Sequence, residues 1–146
     1  MMNKAEFINS VVGKPWVRAS DSLDNGGVDC WGLVRLSFES IDEINLPEPP
    51  WRMDMDIARS AKQVIDDGGY VKCREKEGAI WLVTTHDGAA VHIGRILNGY
   101  AVHADGSTER AGHIVAADRE YTFRRYRIFG LEIEFYEYKG CDNGTN

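Results

Sequence analysis

The chain has 146 residues, 43% hydrophobic and 27% charged, which is enough for one domain with a buried core and too few to expect two. With 17 Lys and Arg against 23 Asp and Glu, the net charge of −6 argues against a nucleic-acid partner, and no apolar run approaches the length of a membrane span. Three cysteines, Cys30, Cys73 and Cys141, form an odd set without metal-type spacing, so neither a disulfide framework nor a zinc knuckle is indicated.

The first residues lack the apolar core and small-residue cleavage site of a secretory signal, so synthesis and folding in a cytoplasm are expected. Lys4 to Val12 reads as a helix, with Phe7, Ile8, Val11 and Val12 at helical spacing before Gly13 and Pro15. A run of turn formers from Ser20 to Gly27 leads into Asp29, a candidate N-cap. Leu33, Val34, Phe38 and Ile41 then form the buried stripe of a second helix, with Cys30 in its first turn. Pro47, Pro49 and Pro50 interrupt regular structure. A third helical pattern runs from about Met53 to Asp67 and ends at Gly68-Gly69.

Beyond it the pattern predicts strands at Ala79 to Thr84, Ala90 to Leu97, Tyr100 to Ala104, His113 to Ala116 and Arg127 to Tyr136. Helices first and strands second predict an α+β domain, N-terminal helices packed on a C-terminal antiparallel sheet, over residues 1–138. Residues 139–146 read as a polar, frayed tail. Tyr121 to Arg127 interleaves basic and aromatic residues; the net charge disfavours single-strand nucleic-acid binding, and an exposed strand accounts for the pattern.

A thiolate, not a thiol, attacks carbonyls, and a helix N-terminus favours it through partial positive charge and free N–H groups. Cys30 has that placement, and the adjacent N–H groups would stabilise an oxyanion. Taken alone, a cysteine there is more often a small buried residue. The segment His92 to His103 strengthens the case. If Asn98-Gly99 closes a two-residue hairpin, Leu97 pairs with Tyr100, Gly94 faces His103 and His92 faces Asp105. Both imidazoles then share one sheet face as diagonal neighbours, and Gly94 leaves room for His103. A three-residue loop would reverse the parity and separate them. Asp105 is the second-ranked orienter of His92. His86 and His113 have no visible partner in the sequence and are assigned no role. A metal held by Cys30, His92 and His103 has suitable ligand types but no compact ligand pair, so no metal or cofactor is expected.

These motifs resemble those of the NlpC-type papain-like cysteine peptidases of bacterial cell walls, and within them a subgroup of phage tail-tip and tail-assembly proteins. The resemblance rests on Gly13-Lys14-Pro15-Trp16, Asp29-Cys30-Trp31-Gly32-Leu33-Val34-Arg35, Leu46-Pro47, Glu77 to Val83, His92-Ile93-Gly94 and Val102-His103-Ala104. It implies a papain-like fold, with Cys30 as nucleophile, His92 as general base and His103 as its orienter. It also implies hydrolysis of the bond between D-glutamate and a diamino acid in peptidoglycan stem peptides, with Asp29 and Trp16 in substrate binding. The partners it implies are those peptides and other phage tail proteins, and the location a virion tail acting at the cell wall. Trp16 stands where the family commonly has a tyrosine and brings only an N–H donor. Val17 to Ser20 lack the glycine pair of many relatives. The second departure implies a differently shaped cleft; Trp16 supports the alternative, a tail-assembly protein that keeps the fold with weak or no activity.

Overall fold

The computed structural model describes residues 1–17, 20, 22–47, 57–106 and 112–140. Cys141, the start of the third helical pattern, the proline pair at 49–50, part of the turn-rich loop and most of the polar tail lie outside them.

Helix α1 (Lys4–Val11) begins at a capping box, in which the Asn3 side chain accepts from Glu6 N–H at 2.8 Å and Glu6 accepts from Asn3 N–H at 2.9 Å. It buries Phe7 and Val11. After a short 3₁₀ turn at Leu23–Asn25, helix α2 (Cys30–Ser37) continues into a π-helical turn at Phe38–Asp42, closed by Glu43 at φ 59°. Leu33, Val34, Phe38 and Ile41 are buried, as their spacing predicts. Helix α3 (Ile57–Asp66) buries Ile57, Ala61, Val64 and Ile65.

Among the described residues six strands follow: β1 (Tyr70–Cys73), β2 (Ile80–Thr84), β3 (Ala90–Leu97), β4 (Tyr100–Asp105), β5 (His113–Asp118) and β6 (Glu132–Tyr138). They form one antiparallel sheet in the order β1-β6-β2-β3-β4-β5, so the last strand returns to lie between β1 and β2. Helices α1 to α3 cover one face, where Ile80, Leu82, Ile93, Leu97, Val102 and Ala104 are buried. Helix α4 (Arg119–Ile128) covers the other, over Trp81, Val83, Ile96 and Ala101.

Two expectations are corrected. Tyr121 to Arg127 is not an exposed strand but the body of α4, and the strand predicted from Arg127 begins only at Glu132. The helix has an N-cap, Asp118, whose carboxylate accepts from Tyr121 N–H at 2.8 Å, and it ends before Gly130 at φ 82°. Only Thr122 and Phe123 are buried along it, so the apolar stripe that identifies most helices is missing. Strand β1, four residues long and half exposed at the sheet edge, was also not anticipated.

The β3–β4 hairpin closes as its sequence predicts. Leu97 pairs with Tyr100, and Asn98 and Gly99 take φ of 55° and 81°, the left-handed pair required by a type I′ turn. Glu77 fixes this turn: its carboxylate accepts from Asn98 N–H at 2.6 Å and Gly99 N–H at 2.8 Å, and it pairs with Lys4 at 2.9 Å. Below the turn, Arg95 ties β3 to the π-helical segment, meeting Asp42 at 2.8 Å and lying over the Phe38 ring at 3.6 Å.

Candidate active site

Cys30 is the first residue of α2 and is 6% exposed. The buried Asp29 carboxylate accepts from Gly32 N–H at 2.6 Å, and this cap fixes the turn that presents Cys30. Asp29, expected to meet substrate, is itself fully buried. The loop before it is knitted to the sheet. Val28 N–H donates to Pro15 O at 3.2 Å, Val17 N–H to Val28 O at 3.1 Å and Trp16 N–H to Gly112 O at 2.8 Å. Gly27 is required here, because a Cβ at this position would stand 1.9 Å from Pro15 O. Trp16 is half-buried against apolar residues of both helix-side clusters, and a Cβ on Gly106 would come within 2.8 Å of its Cβ.

The hairpin brings the two expected histidines together. His92 Nε2 lies 2.8 Å from His103 Nδ1, with ring centroids 5.0 Å apart. His103 thus engages His92, and the Asp105 charge favours the protonated form of His92. Cys30 belongs to the apolar cluster that contains Ile93, the residue after His92 on β3, and α2 packs on β3 and β4.

Gly94 has a different task from the one its position suggests. Its missing side chain makes room for Trp81 on the neighbouring strand: a Cβ there would lie 2.3 Å from the indole ring. Trp81, fully buried, meets His103 edge-on at 5.1 Å and His92 at 5.6 Å. Tyr126 of α4 closes the far side, 6.3 Å from His92 and 6.2 Å from Trp81. The sequence offered one signal for this aromatic housing, a tryptophan and a glycine in adjacent strands, legible only once Trp81 was known to pair with Gly94.

Burial pushes the His92 pKa down to about 3, helped by the neighbouring imidazole, and burial alone pushes His103 down to about 4. Both rings are thus neutral at pH 7. In the tautomer in which His92 Nε2–H donates to His103 Nδ1, His92 Nδ1 is an open acceptor, which is what a general base needs. Because an unfolded histidine titrates near 6.5, the unfolded chain binds more protons than the folded one between about pH 6.5 and 4. Stability should therefore fall as pH drops through that window. Thermal melts of the protein and of His103→Leu should show a shallower acid-side decline in the variant.

The other two histidines stand apart. His86 does have a partner, Glu132, at 3.0 Å on the exposed surface, and His113 is an exposed strand residue opposite Asp105. Among the described residues, no three His, Cys, Asp or Glu side chains are grouped to hold a metal, and no helix is long and apolar enough to cross a membrane.

No protein-family profile and no curated protein sequence matches this chain. Among solved structures, the NlpC/p60 domain of the peptidoglycan hydrolase SagA is similar, with a TM-score of 0.51 and 15% sequence identity over 91% of this chain and 97% of that one. The chain thus has the α+β, papain-like NlpC/p60 fold.

Proposed function

We propose that this protein is a thiol hydrolase of peptidoglycan stem peptides that cuts the bond between D-glutamate and a diamino acid, carried by a phage or prophage tail. The observation behind this reading is the 2.8 Å imidazole pair on the strands against which the Cys30 helix packs, in a fold shared with a peptidoglycan hydrolase domain. His92 Nδ1 takes the Cys30 thiol proton, and the thiolate forms a C–S bond to the scissile carbonyl carbon. N–H groups of the first turn of α2 hold the oxyanion. The imidazolium then protonates the departing amine as the C–N bond breaks, leaving a thioester. Water, deprotonated by the same imidazole, attacks the thioester and releases the acid and the thiol. His103 acts as a positioning residue that holds the His92 ring and its tautomer.

A second reading, a tail-assembly protein without activity, draws on Trp16, whose indole is packed among apolar residues at the position of the family's tyrosine. Purified muropeptides incubated with the protein and with Cys30→Ala, then analysed by mass spectrometry, separate the two. The hydrolase reading expects new products with the native protein alone, split at the D-glutamyl bond. Absence of cleavage across pH and substrates would favour the assembly role.

A further inference from the structure

On α4, Tyr121, Arg125 and Phe129 succeed one another at four-residue spacing along one side of the helix. The Arg125 guanidinium lies 5.8 Å from the Tyr121 ring and 5.8 Å from the Phe129 ring, and donates to the Tyr121 hydroxyl at 3.1 Å. Two rings that are 51% and 71% exposed thus hold one arginine in place from both sides. A guanidinium already restrained by such neighbours loses less freedom when it receives a planar anion through two parallel hydrogen bonds.

This arginine forms part of the wall of a groove of about 510 Å³ between α4 and strands β4 and β5, whose lining includes His103, Asp105 and Tyr126. The groove therefore leads to the imidazole pair. Arg119 of the same helix is matched by Glu75 at 3.2 Å, and Arg95 by Asp42. Among the described residues Arg124, Arg125 and Arg127 have no such ion pair. Arg124 and Arg127 line a separate groove on α4, so Arg125 is the arginine this recess presents, with the Asp105 carboxylate and apolar side chains also in its lining.

We propose that this groove is a subsite for a peptide ending in a free carboxylate, which Arg125 receives while the chain of the ligand runs toward His103. The ligand class rests on the peptide-hydrolase reading above. The concave form favours an extended chain over a flat bilayer, and the Asp105 carboxylate in the lining would oppose a second anionic group while suiting an amine.

The test uses Cys30→Ala, so that binding is read without turnover, and two probes: an L-Ala-D-Glu-diamino acid-D-Ala tetrapeptide and its C-terminal amide. Titration calorimetry should give the acid at least about tenfold tighter binding than the amide, the range of one charge-assisted contact. That preference should disappear in the Arg125→Gln, Cys30→Ala double variant and shrink when Tyr121 and Phe129 are both changed to leucine. All three side chains are exposed, so unchanged melting temperatures certify the fold. Equal affinity for acid and amide, or a preference that survives Arg125→Gln, overturns the subsite. Arg125-dependent retention on phosphatidylglycerol vesicles without acid preference overturns it in favour of a membrane face. Acid preference without cleavage by the native protein would sustain the subsite and sink the hydrolase reading, and cleavage without acid preference would do the reverse.

Discussion

His92→Ala should lower muropeptide cleavage about 1,000-fold while leaving the fold intact, because in the proposed mechanism the Cys30 thiol then has no base and the departing amine no acid. Its ring is partly buried near the start of β3, against Trp81, His103 and Tyr126, so an unchanged melting temperature is the control for the fold. The loss should fall on kcat, with KM little changed, since the imidazole acts only as bonds change. The neighbouring ring offers a graded control. His103→Asn retains a side-chain oxygen able to accept from His92 Nε2–H and should keep more activity than His103→Leu, which leaves that nitrogen without a partner. Equal losses in the two variants would argue that His103 merely fills space. Steady-state kinetics on a defined stem peptide decide the matter.

The second large effect is expected at Gly94, which neither touches substrate nor titrates. Alanine there places a Cβ 2.3 Å from the Trp81 ring and 2.7 Å from the Val102 carbonyl oxygen, and neither obstacle is a flexible chain end. Trp81 is fully buried between the imidazoles and Phe123, with ring centroids 5.3 Å apart in the latter contact, so it cannot move alone. Overpacking of this kind costs about 2–3 kcal/mol, or roughly 5–10 °C in melting temperature for a domain of this size. Activity should suffer as well, because displacement of Trp81 removes the surface against which both imidazoles rest. The proton shared by His92 and His103 should give a far-downfield NMR resonance, visible in the native protein and lost or broadened in Gly94→Ala. A variant with normal melting and an intact resonance would show that the aromatic housing does not position the pair.

Much of this arrangement was legible in the residues themselves. Asn98-Gly99 specifies a type I′ turn, and turn parity carries His92 and His103 to one face without knowledge of the rest of the sheet. Asp29 before an apolar stripe marks the start of α2, so the placement of Cys30 also followed from local chemistry. What escaped was decided by contacts distant in sequence. Helix α4 buries little but Phe123 and Thr122, and its arginines and exposed aromatics gave no helical stripe, although Asp118 and Gly130 mark its ends. Strand β1 is defined by its pairing with β6, more than sixty residues away. Gly94 was read as leaving room for His103, but the ring it accommodates is Trp81, set by the β2–β3 register rather than by the hairpin. His86, unpaired in the sequence, meets Glu132 only because β6 returns beside β2.

The pH dependence of alkylation tests most directly whether Cys30 is a nucleophile served by His92. Iodoacetamide labelling, read peptide by peptide, carries its own reference in Cys73, whose thiol pKa burial raises above the ordinary value. Cys30 should be modified rapidly at pH 6, where Cys73 is inert, and His92→Ala should shift its labelling profile upward toward that of an ordinary thiol. Labelling of Cys30 no faster than that of Cys73 in the native protein, or a profile indifferent to the loss of His92, would contradict the thiol-hydrolase account.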